Sequence, residues 1–197
     1  LPFSVYLLAS TVSSPIWGRV SDLFGRKVIY VIGILLFLFG SAMSGFSDSM
    51  IMLVFMRVIQ GLGAGCVTPL TFTINGEMFS VKKRAKVQAY MSAVWGLAGL
   101  LGPLIGGLIV DHMSWRYVFF LNIPFGLIAL FLVYINYSES DRIEKTKFRL
   151  DWPGAILFTV GTSMLVWGLE QFNIILVITG PVLILISWFY ERNHEHA

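Results

Sequence analysis

Apolar residues run through this chain in long, nearly uninterrupted stretches that short polar segments separate. Most stretches are about 17 to 25 residues long, the length that a helix needs to cross a hydrocarbon core of about 30 Å. The pattern therefore predicts seven membrane-spanning helices, of which the first is short. They cover residues 3–17, 28–46, 50–74, 87–110, 117–137, 152–169 and 174–190.

The composition also indicates an all-α integral membrane protein. Hydrophobic residues make up 56% of the chain and charged residues 13%, whereas about 25% of a soluble domain is charged. The mean hydropathy is +0.78. Cys66 is the single cysteine, which excludes a disulfide within the chain. Because the chain opens at Leu1 inside an apolar stretch, we expect it to be a fragment.

The basic residues predict how the chain is oriented in a lipid bilayer. When the spans alternate in direction, all of the 14 lysines and arginines except Arg57 and Arg116 fall on one side. Cytoplasmic connections carry an excess of Lys and Arg in membrane proteins, so this side is cytoplasmic. The basic residues are thus distributed according to the orientation of the spans. The net charge of +3 therefore does not indicate a nucleic acid as partner.

A long hydrophilic stretch, residues 138–151, divides the chain. It is nearly charge-balanced, which is typical of a solvated linker. On this division residues 1–137 form a partial transmembrane bundle and residues 152–190 form two additional spans. Residues 191–197 begin a further cytoplasmic connection.

Arg57 lies deep inside an otherwise apolar span, about 13 Å from the outer end near Asp48. An unpaired charge at such a depth costs at least about 2.5 kcal/mol, so it indicates a functional site. Every carboxylate of the chain lies at or beyond a span boundary. Either Arg57 pairs with a titrating carboxylate outside this chain, or Gln60 and backbone carbonyls near Gly61 hold it without titration.

The first cytoplasmic connection is a tight turn that carries Gly18, Asp22, Gly25, Arg26 and Lys27. We expect Gly18 to allow close backbone approach and Asp22 to cap the next helix or pair at its start. Arg26 and Lys27 would anchor that helix at the membrane surface. The pattern is typical either of a well-capped hairpin or of a charge cluster that breaks and re-forms as helices move.

The spacing of this turn recurs at an outer turn. Gly107 and Asp111 repeat the glycine–aspartate pair, and Trp115 and Arg116 follow them. Three spans separate the copies, so the two turns lie on opposite membrane faces. Such inverted-topology repeats are typical of secondary transporters.

The fourth span carries a face of small residues. At 100° per residue these positions fall within an arc of about 140°, where another helix could approach closely. The proline among them removes a backbone hydrogen bond and kinks the helix. The face is typical either of a well-packed helix pair or of a helix that bends. It consists of Gly96, Gly99, Gly102, Pro103, Gly106 and Gly107.

Together these segments resemble the major facilitator superfamily. Residues 18–27 look like its loop signature between spans two and three, and residues 57–63 look like the characteristic stretch of span four. The glycine face is similar to the span-five signature of antiporters. Residues 151–154, which open a further span, resemble the start of the two extra central spans in fourteen-span drug:proton antiporters. The resemblance implies an incomplete major facilitator fold, comprising spans two to eight.

The resemblance also implies a function. The protein would be a transporter and not an enzyme, exporting small hydrophobic or cationic compounds in exchange for protons from the cytoplasmic membrane of a bacterium. The proton gradient would drive it without a cofactor. Arg57 would serve proton coupling by favouring the ionised form of a nearby carboxylate in one state, and Gln60 and Gly61 would shape the same site. The five residues of the first turn would control the cytoplasmic gate.

Other functions stay open at this point. A major facilitator for a single metabolite or siderophore, whether symporter or exporter, is the nearest alternative, and Pro103 within the glycine face favours the antiporter over it. A transport-inactive membrane sensor is a further alternative, which Arg57 argues against. An intramembrane enzyme is disfavoured because neither His-Glu-x-x-His nor Gly-x-Ser-x-Gly occurs. The histidines lie at membrane edges or in the tail, so no metal site is predicted.

Overall fold

The computed structural model describes residues 2–137 and 152–194, and the predicted linker 138–151 lies outside them. The described residues form eight α-helices. These are α1 (Pro2–Phe24), α2 (Arg26–Gly45), α3 (Met50–Met78), α4 (Val81–His112), α5 (Arg116–Phe120), α6 (Asn122–Asn136), α7 (Trp152–Glu170) and α8 (Ile174–His194).

Each predicted span corresponds to helical structure. Within the two described ranges, four segments are long and apolar enough to cross a membrane, namely α2, α3, α4 and the combined segment Arg116–Asn136. The apolar parts of α7 and α8 are shorter and cover Ile156–Leu169 and Ile174–Tyr190. The predicted all-α membrane fold is confirmed.

The predicted span 117–137 is divided near its start, where α5 and α6 meet at Leu121. Pro124 has no backbone N–H, so the carbonyl four residues before it has no helical partner. The hydroxyl of Ser41 on α2 donates to the neighbouring carbonyl of Phe119 at 2.8 Å. Leu121 keeps helical backbone angles (φ −57°, ψ −32°), so the interruption is local.

The basic residues 82–86 were predicted to lie in a cytoplasmic connection, but they belong to the first turns of α4. The connection between α3 and α4 consists of Phe79 and Ser80 only. A helix can continue past its apolar part because Lys and Arg side chains extend towards water while their stems stay on apolar surface. The apolar pattern therefore marks the hydrocarbon part of α4 and not its full length.

Helix α3 lies between α1 and α2, and glycines on opposite faces bring it close to both. A Cβ added at Gly61 would lie 2.6 Å from the carbonyl oxygen of Tyr6 on α1. A Cβ added at Gly63 would lie 2.7 Å from the carbonyl oxygen of Gly33 on α2. Two residues along a helix correspond to a rotation of about 200°, which explains the opposite faces. Small residues of this kind allow membrane helices to pack backbone to backbone.

Hydrogen bonds between helices accompany this packing. The indole N–H of Trp17 donates to the carbonyl of Leu62 at 2.9 Å, and the hydroxyl of Ser14 donates to the carbonyl of Gly65 at 3.0 Å. Within a bilayer no water can satisfy these side chains. The bonds therefore fix α1 on α3 in one register.

The remaining helices lie outside this three-helix centre. Among the described residues, none in α4 is buried, and α4 packs only lightly on α3 and α5. Helices α7 and α8 pack against each other through Gly161 and Gly180, where an added Cβ on either would lie 2.9 Å or less from the facing backbone. Helix α7 also contacts α1.

Candidate functional site

Arg57 on α3 is surrounded by neutral groups from three helices. Its Nη1 donates to Oε1 of Gln60 at 2.7 Å, and its Nε donates to the carbonyl of Pro2 at 3.3 Å. The guanidinium carbon lies 4.1 Å from the ring centroid of Tyr6 and 5.6 Å from that of Phe119. Aromatic rings within about 6 Å attract a cation through the negative charge of their faces. The arginine is thus held by hydrogen bonds and by ring faces together.

No carboxylate within residues 2–137 and 152–194 forms an ion pair or a hydrogen bond with Arg57. Gln60 and a backbone carbonyl hold the guanidinium, as one of the two interpretations expects. However, the carbonyl belongs to Pro2 on α1 and not to a residue near Gly61. The first turn of α1 faces the guanidinium and supplies this carbonyl. A carboxylate partner outside this chain stays a prediction.

Gly61 determines where the ring of Tyr6 lies. Arg57 and Gly61 are four residues apart and therefore share one face of α3. The contact between Gly61 and the backbone of Tyr6 brings α1 directly onto this face, and Ala9 on the next turn also touches it. The ring of Tyr6 consequently lies over the guanidinium of Arg57.

Phe119 is fixed from a different direction. Asn122 donates its side-chain N–H to the hydroxyl oxygen of Ser41 at 3.0 Å, and Ser41 donates to the carbonyl of Phe119. These bonds hold the α5–α6 junction against α2. The junction places the second ring beside Arg57.

Sequence reasoning did not identify Tyr6 and Phe119 as partners of Arg57. Aromatic residues are frequent throughout the spans, and Phe119 is far from Arg57 along the chain. A signal for Tyr6 exists in the spacing of Arg57 and Gly61. A helix that packs on Gly61 must also pass over Arg57, which lies on the same face of α3. An aromatic residue of that helix can therefore be expected to contact Arg57.

A charged cluster lies at the cytoplasmic end of α3. The guanidinium of Arg26 donates to Asp22 at 3.0 Å and also pairs with Glu77. The hydroxyl of Tyr137 donates to the second oxygen of Glu77 at 2.7 Å. Glu77 therefore links the α1–α2 turn, the end of α3 and the end of α6. Sequence reasoning missed Glu77 and Tyr137 because both lie far from Arg26 along the chain.

Lys27 connects the same turn to the end of α6. Its ammonium donates to the carbonyl of Tyr134 at 3.0 Å and lies 5.4 Å from the centroid of that ring. The last carbonyls of a helix have no helical partner and carry partial negative charge. A cation in this place stabilises the end of α6.

Gly25 and not Gly18 makes the turn between α1 and α2. Gly25 has φ 96°, a backbone conformation that glycine adopts without strain. It is the N-cap of α2 and provides no side chain, so Asp22 pairs with Arg26 and does not cap the helix. A Cβ added at Gly18 would meet nothing within 4 Å among the described residues. The close approach expected at Gly18 stays a prediction, and among the described residues α1 makes its tight contacts with α3 further from the turn.

The outer turn has different contacts from the cytoplasmic one. Arg116 donates to the carbonyl of Ser47 at 2.9 Å and to Asp48 at 3.4 Å, and its guanidinium lies 4.7 Å from the ring of Trp115. Asp111 is exposed, and in the described ranges it forms no hydrogen bond or ion pair. Arg116 thus fastens the α2–α3 loop. The sequence repeat does not reproduce the aspartate–arginine pair of the first turn.

The glycine face of α4 has no helix packed against it in the part of the chain that the structure describes. A Cβ added at any of its glycines would meet nothing within 4 Å there. The helix itself continues through Pro103. The close helix partner expected for this face stays a prediction. The glycines concerned are Gly96, Gly99, Gly102, Gly106 and Gly107.

Comparison with known proteins adds to this geometry. The family model described as "Major Facilitator Superfamily" matches residues 1–195. The chain is 41% identical over 165 residues to "Multidrug resistance protein 3" of Bacillus subtilis, covering 84% of this chain and 32% of that protein. It is 37% identical to "Multidrug transporter protein MdtP" of the same species, covering 85% of this chain and 30% of that protein.

A third similar protein comes from another genus. The chain is 35% identical over 181 residues to "Multidrug efflux pump SdrM" of Staphylococcus aureus, covering 90% of this chain and 40% of that protein. This chain spans between 30% and 40% of the length of these three curated relatives.

Proposed function

We propose, because the chain belongs to the Major Facilitator Superfamily, that it forms part of an exporter that exchanges small hydrophobic or cationic compounds for protons by alternating access. The chain is a multi-pass membrane segment, and the bacterial relatives support a bacterial cell membrane as its location. Three relatives whose printed names describe multidrug resistance, transport or efflux support export of drugs.

The proposal of proton exchange rests on the neutral groups that surround Arg57. A guanidinium keeps its charge at all ordinary pH values, and here two rings, an amide and a carbonyl compensate part of its burial. Because no carboxylate among the described residues neutralises Arg57, its charge can respond to a carboxylate that titrates. Such a carboxylate would attract Arg57 when ionised and release it when protonated.

The full-length protein in lipid vesicles tests proton exchange directly. Ethidium added to one side should drive protons across the membrane in the opposite direction, which a pH-sensitive dye trapped inside reports. Vesicles without protein are the control. Ethidium transport without proton movement would contradict the exchange mechanism.

We further propose that the cytoplasmic cluster of Asp22, Arg26 and Glu77 acts as a gate. It joins three parts of the bundle through contacts that a relative movement of the helices would break. Lys27 adds a second connection between the turn and α6. Contacts present in only one state of a transporter set the populations of its states.

Glu77→Gln should slow export more than it weakens substrate binding. The substitution keeps the size of the side chain but removes the charge that Arg26 contacts, and a hydrogen bond to a charged group is stronger than one between neutral groups. We expect turnover to fall by about three- to tenfold. Initial export rates and equilibrium binding of the same substrate measure the two effects.

Asp48→Asn is the matched control, because Asp48 is a highly exposed acid at the other end of α3 whose contact with Arg116 is long. Exposed pairs of this kind contribute little. Export by Glu77→Gln at the wild-type rate would contradict the gate.

Gly102→Leu should block export and leave the described helices folded. The described residues leave open space around a Cβ added at Gly102, so we expect a leucine there to disturb their packing little. Transport would be lost because a larger side chain prevents another helix from approaching the glycine face. Export assays measure the first effect and thermal unfolding in detergent measures the second. Unchanged export would indicate that the glycine face contacts lipid and not another helix.

A further inference from the structure

We propose that the rings of Tyr6 and Phe119 form a binding site for organic cations, and that Arg57 occupies this site as an internal competitor. The inference rests on the proposed export of cationic compounds and identifies where their charge binds. It concerns two residues that sequence motifs did not identify.

The two ring faces can bind a cation whether or not it has a hydrogen-bond donor. Arg57 places its guanidinium 4.1 Å from the centroid of one ring and 5.6 Å from that of the other. Quaternary and other soft cations bind to aromatic faces in the same way. The faces require positive charge and not an N–H group, so a lipophilic cation can replace the guanidinium.

Both rings are held by groups other than Arg57. The backbone of Tyr6 rests on Gly61, and the backbone of Phe119 accepts a hydrogen bond from Ser41. The backbone positions that carry the two rings therefore do not depend on the guanidinium. A site that is already arranged loses less free energy of binding to ordering of its parts.

The described residues leave the two rings partly exposed, and the rings can hold one cation at a time. Tyr6, Arg57 and Phe119 are all half-buried, so the described residues do not seal the rings. Two cations about 4 Å apart repel each other strongly in surroundings of low dielectric constant. A bound substrate cation thus displaces Arg57 and frees it for an acidic partner.

Binding of tetraphenylphosphonium to the purified full-length protein in detergent tests the inference. Arg57→Gln removes the competitor and should tighten binding by about five- to thirtyfold, the range that cation–ring contacts produce. Adding Tyr6→Leu to Arg57→Gln should cancel most of this gain. Adding Tyr6→Phe instead keeps the ring and should preserve the gain.

Phe3→Leu in the Arg57→Gln background is the matched control. Phe3 lies on the same helix but is 66% exposed and forms no ring contact with Arg57. Its loss should leave binding unchanged. If Tyr6→Leu prevents folding, Phe119→Leu tests the second ring in the same way.

Equal binding by Arg57→Gln with and without Tyr6→Leu would overturn the site. The same result with normal ethidium-driven proton movement would overturn the site and leave the proposed exporter standing. Absence of export by the wild-type protein, together with ring-dependent tetraphenylphosphonium binding, would instead contradict the exporter and support the site.

Discussion

Arg57→Ala should abolish proton-coupled export while the protein stays folded. The substitution removes the charge that a titrating carboxylate would attract and release. It loses ring contacts of about 1 to 2 kcal/mol, but it also removes a burial cost of at least about 2.5 kcal/mol. The bonds to Gln60 and to the Pro2 carbonyl are lost as well, so stability should fall moderately without preventing folding. Drug-driven proton movement in vesicles and thermal unfolding of the same preparation measure the two outcomes.

Arg116→Ala is the matched control for this prediction. Arg116 is the other arginine outside the cytoplasmic connections, and it contacts the outer loop and not the interior of the bundle. Its removal should leave proton coupling in place. Normal drug-driven proton movement by Arg57→Ala would exclude a coupling role for Arg57.

Gly63→Ala should destabilise the three-helix centre strongly, although alanine forms helices better than glycine. The added Cβ would lie 2.7 Å from the carbonyl oxygen of Gly33 and 2.8 Å from the Cα of Phe37. Both neighbours are backbone atoms, which cannot move unless α2 moves away from α3. Overpacking typically costs about 1 to 3 kcal/mol, and a backbone clash belongs at the upper end. The unfolding temperature in detergent should fall.

Gly99→Ala is the same substitution at an open position, and we expect it not to destabilise the protein. In the described structure no atom lies within 4 Å of the added Cβ, so only helix propensity counts. That propensity favours alanine by about 0.8 to 1 kcal/mol. The unfolding temperature should stay the same or rise. If both variants unfold at the same temperature, the close packing at Gly63 does not stabilise the bundle.

Local features of the site could be predicted from the sequence. The depth of Arg57 follows from the length of the apolar stretch, because the thickness of the bilayer sets that length. Its contact with Gln60 joins residues three apart, which are neighbours on any helix. The pair of Asp22 and Arg26 joins residues four apart on either side of the turn.

Contacts between distant parts of the chain could not be predicted. Glu77 contacts Arg26, and Phe119 contacts Arg57, only because the helices that carry them pack together. No local pattern in a single sequence indicates which helices pack together. Gly18 and Gly25 look equivalent in the sequence, yet only Gly25 adopts a positive φ. The first residue of α4 could not be predicted from the apolar pattern, because that pattern ends at the hydrocarbon boundary, whereas the helix continues beyond it.

The position of Arg57 within the bilayer exposes its charge to the membrane voltage whenever the guanidinium moves. An elementary charge that crosses the whole membrane changes its energy by about 2.3 kcal/mol per 100 mV. A shift of the guanidinium by about 3 Å crosses a tenth of a hydrocarbon core of about 30 Å, which corresponds to about 0.2 kcal/mol per 100 mV. The proposed exchange of Arg57 between the rings and a titrating acid would therefore depend very little on voltage. Any strong voltage dependence of export would arise from the transported proton and drug themselves.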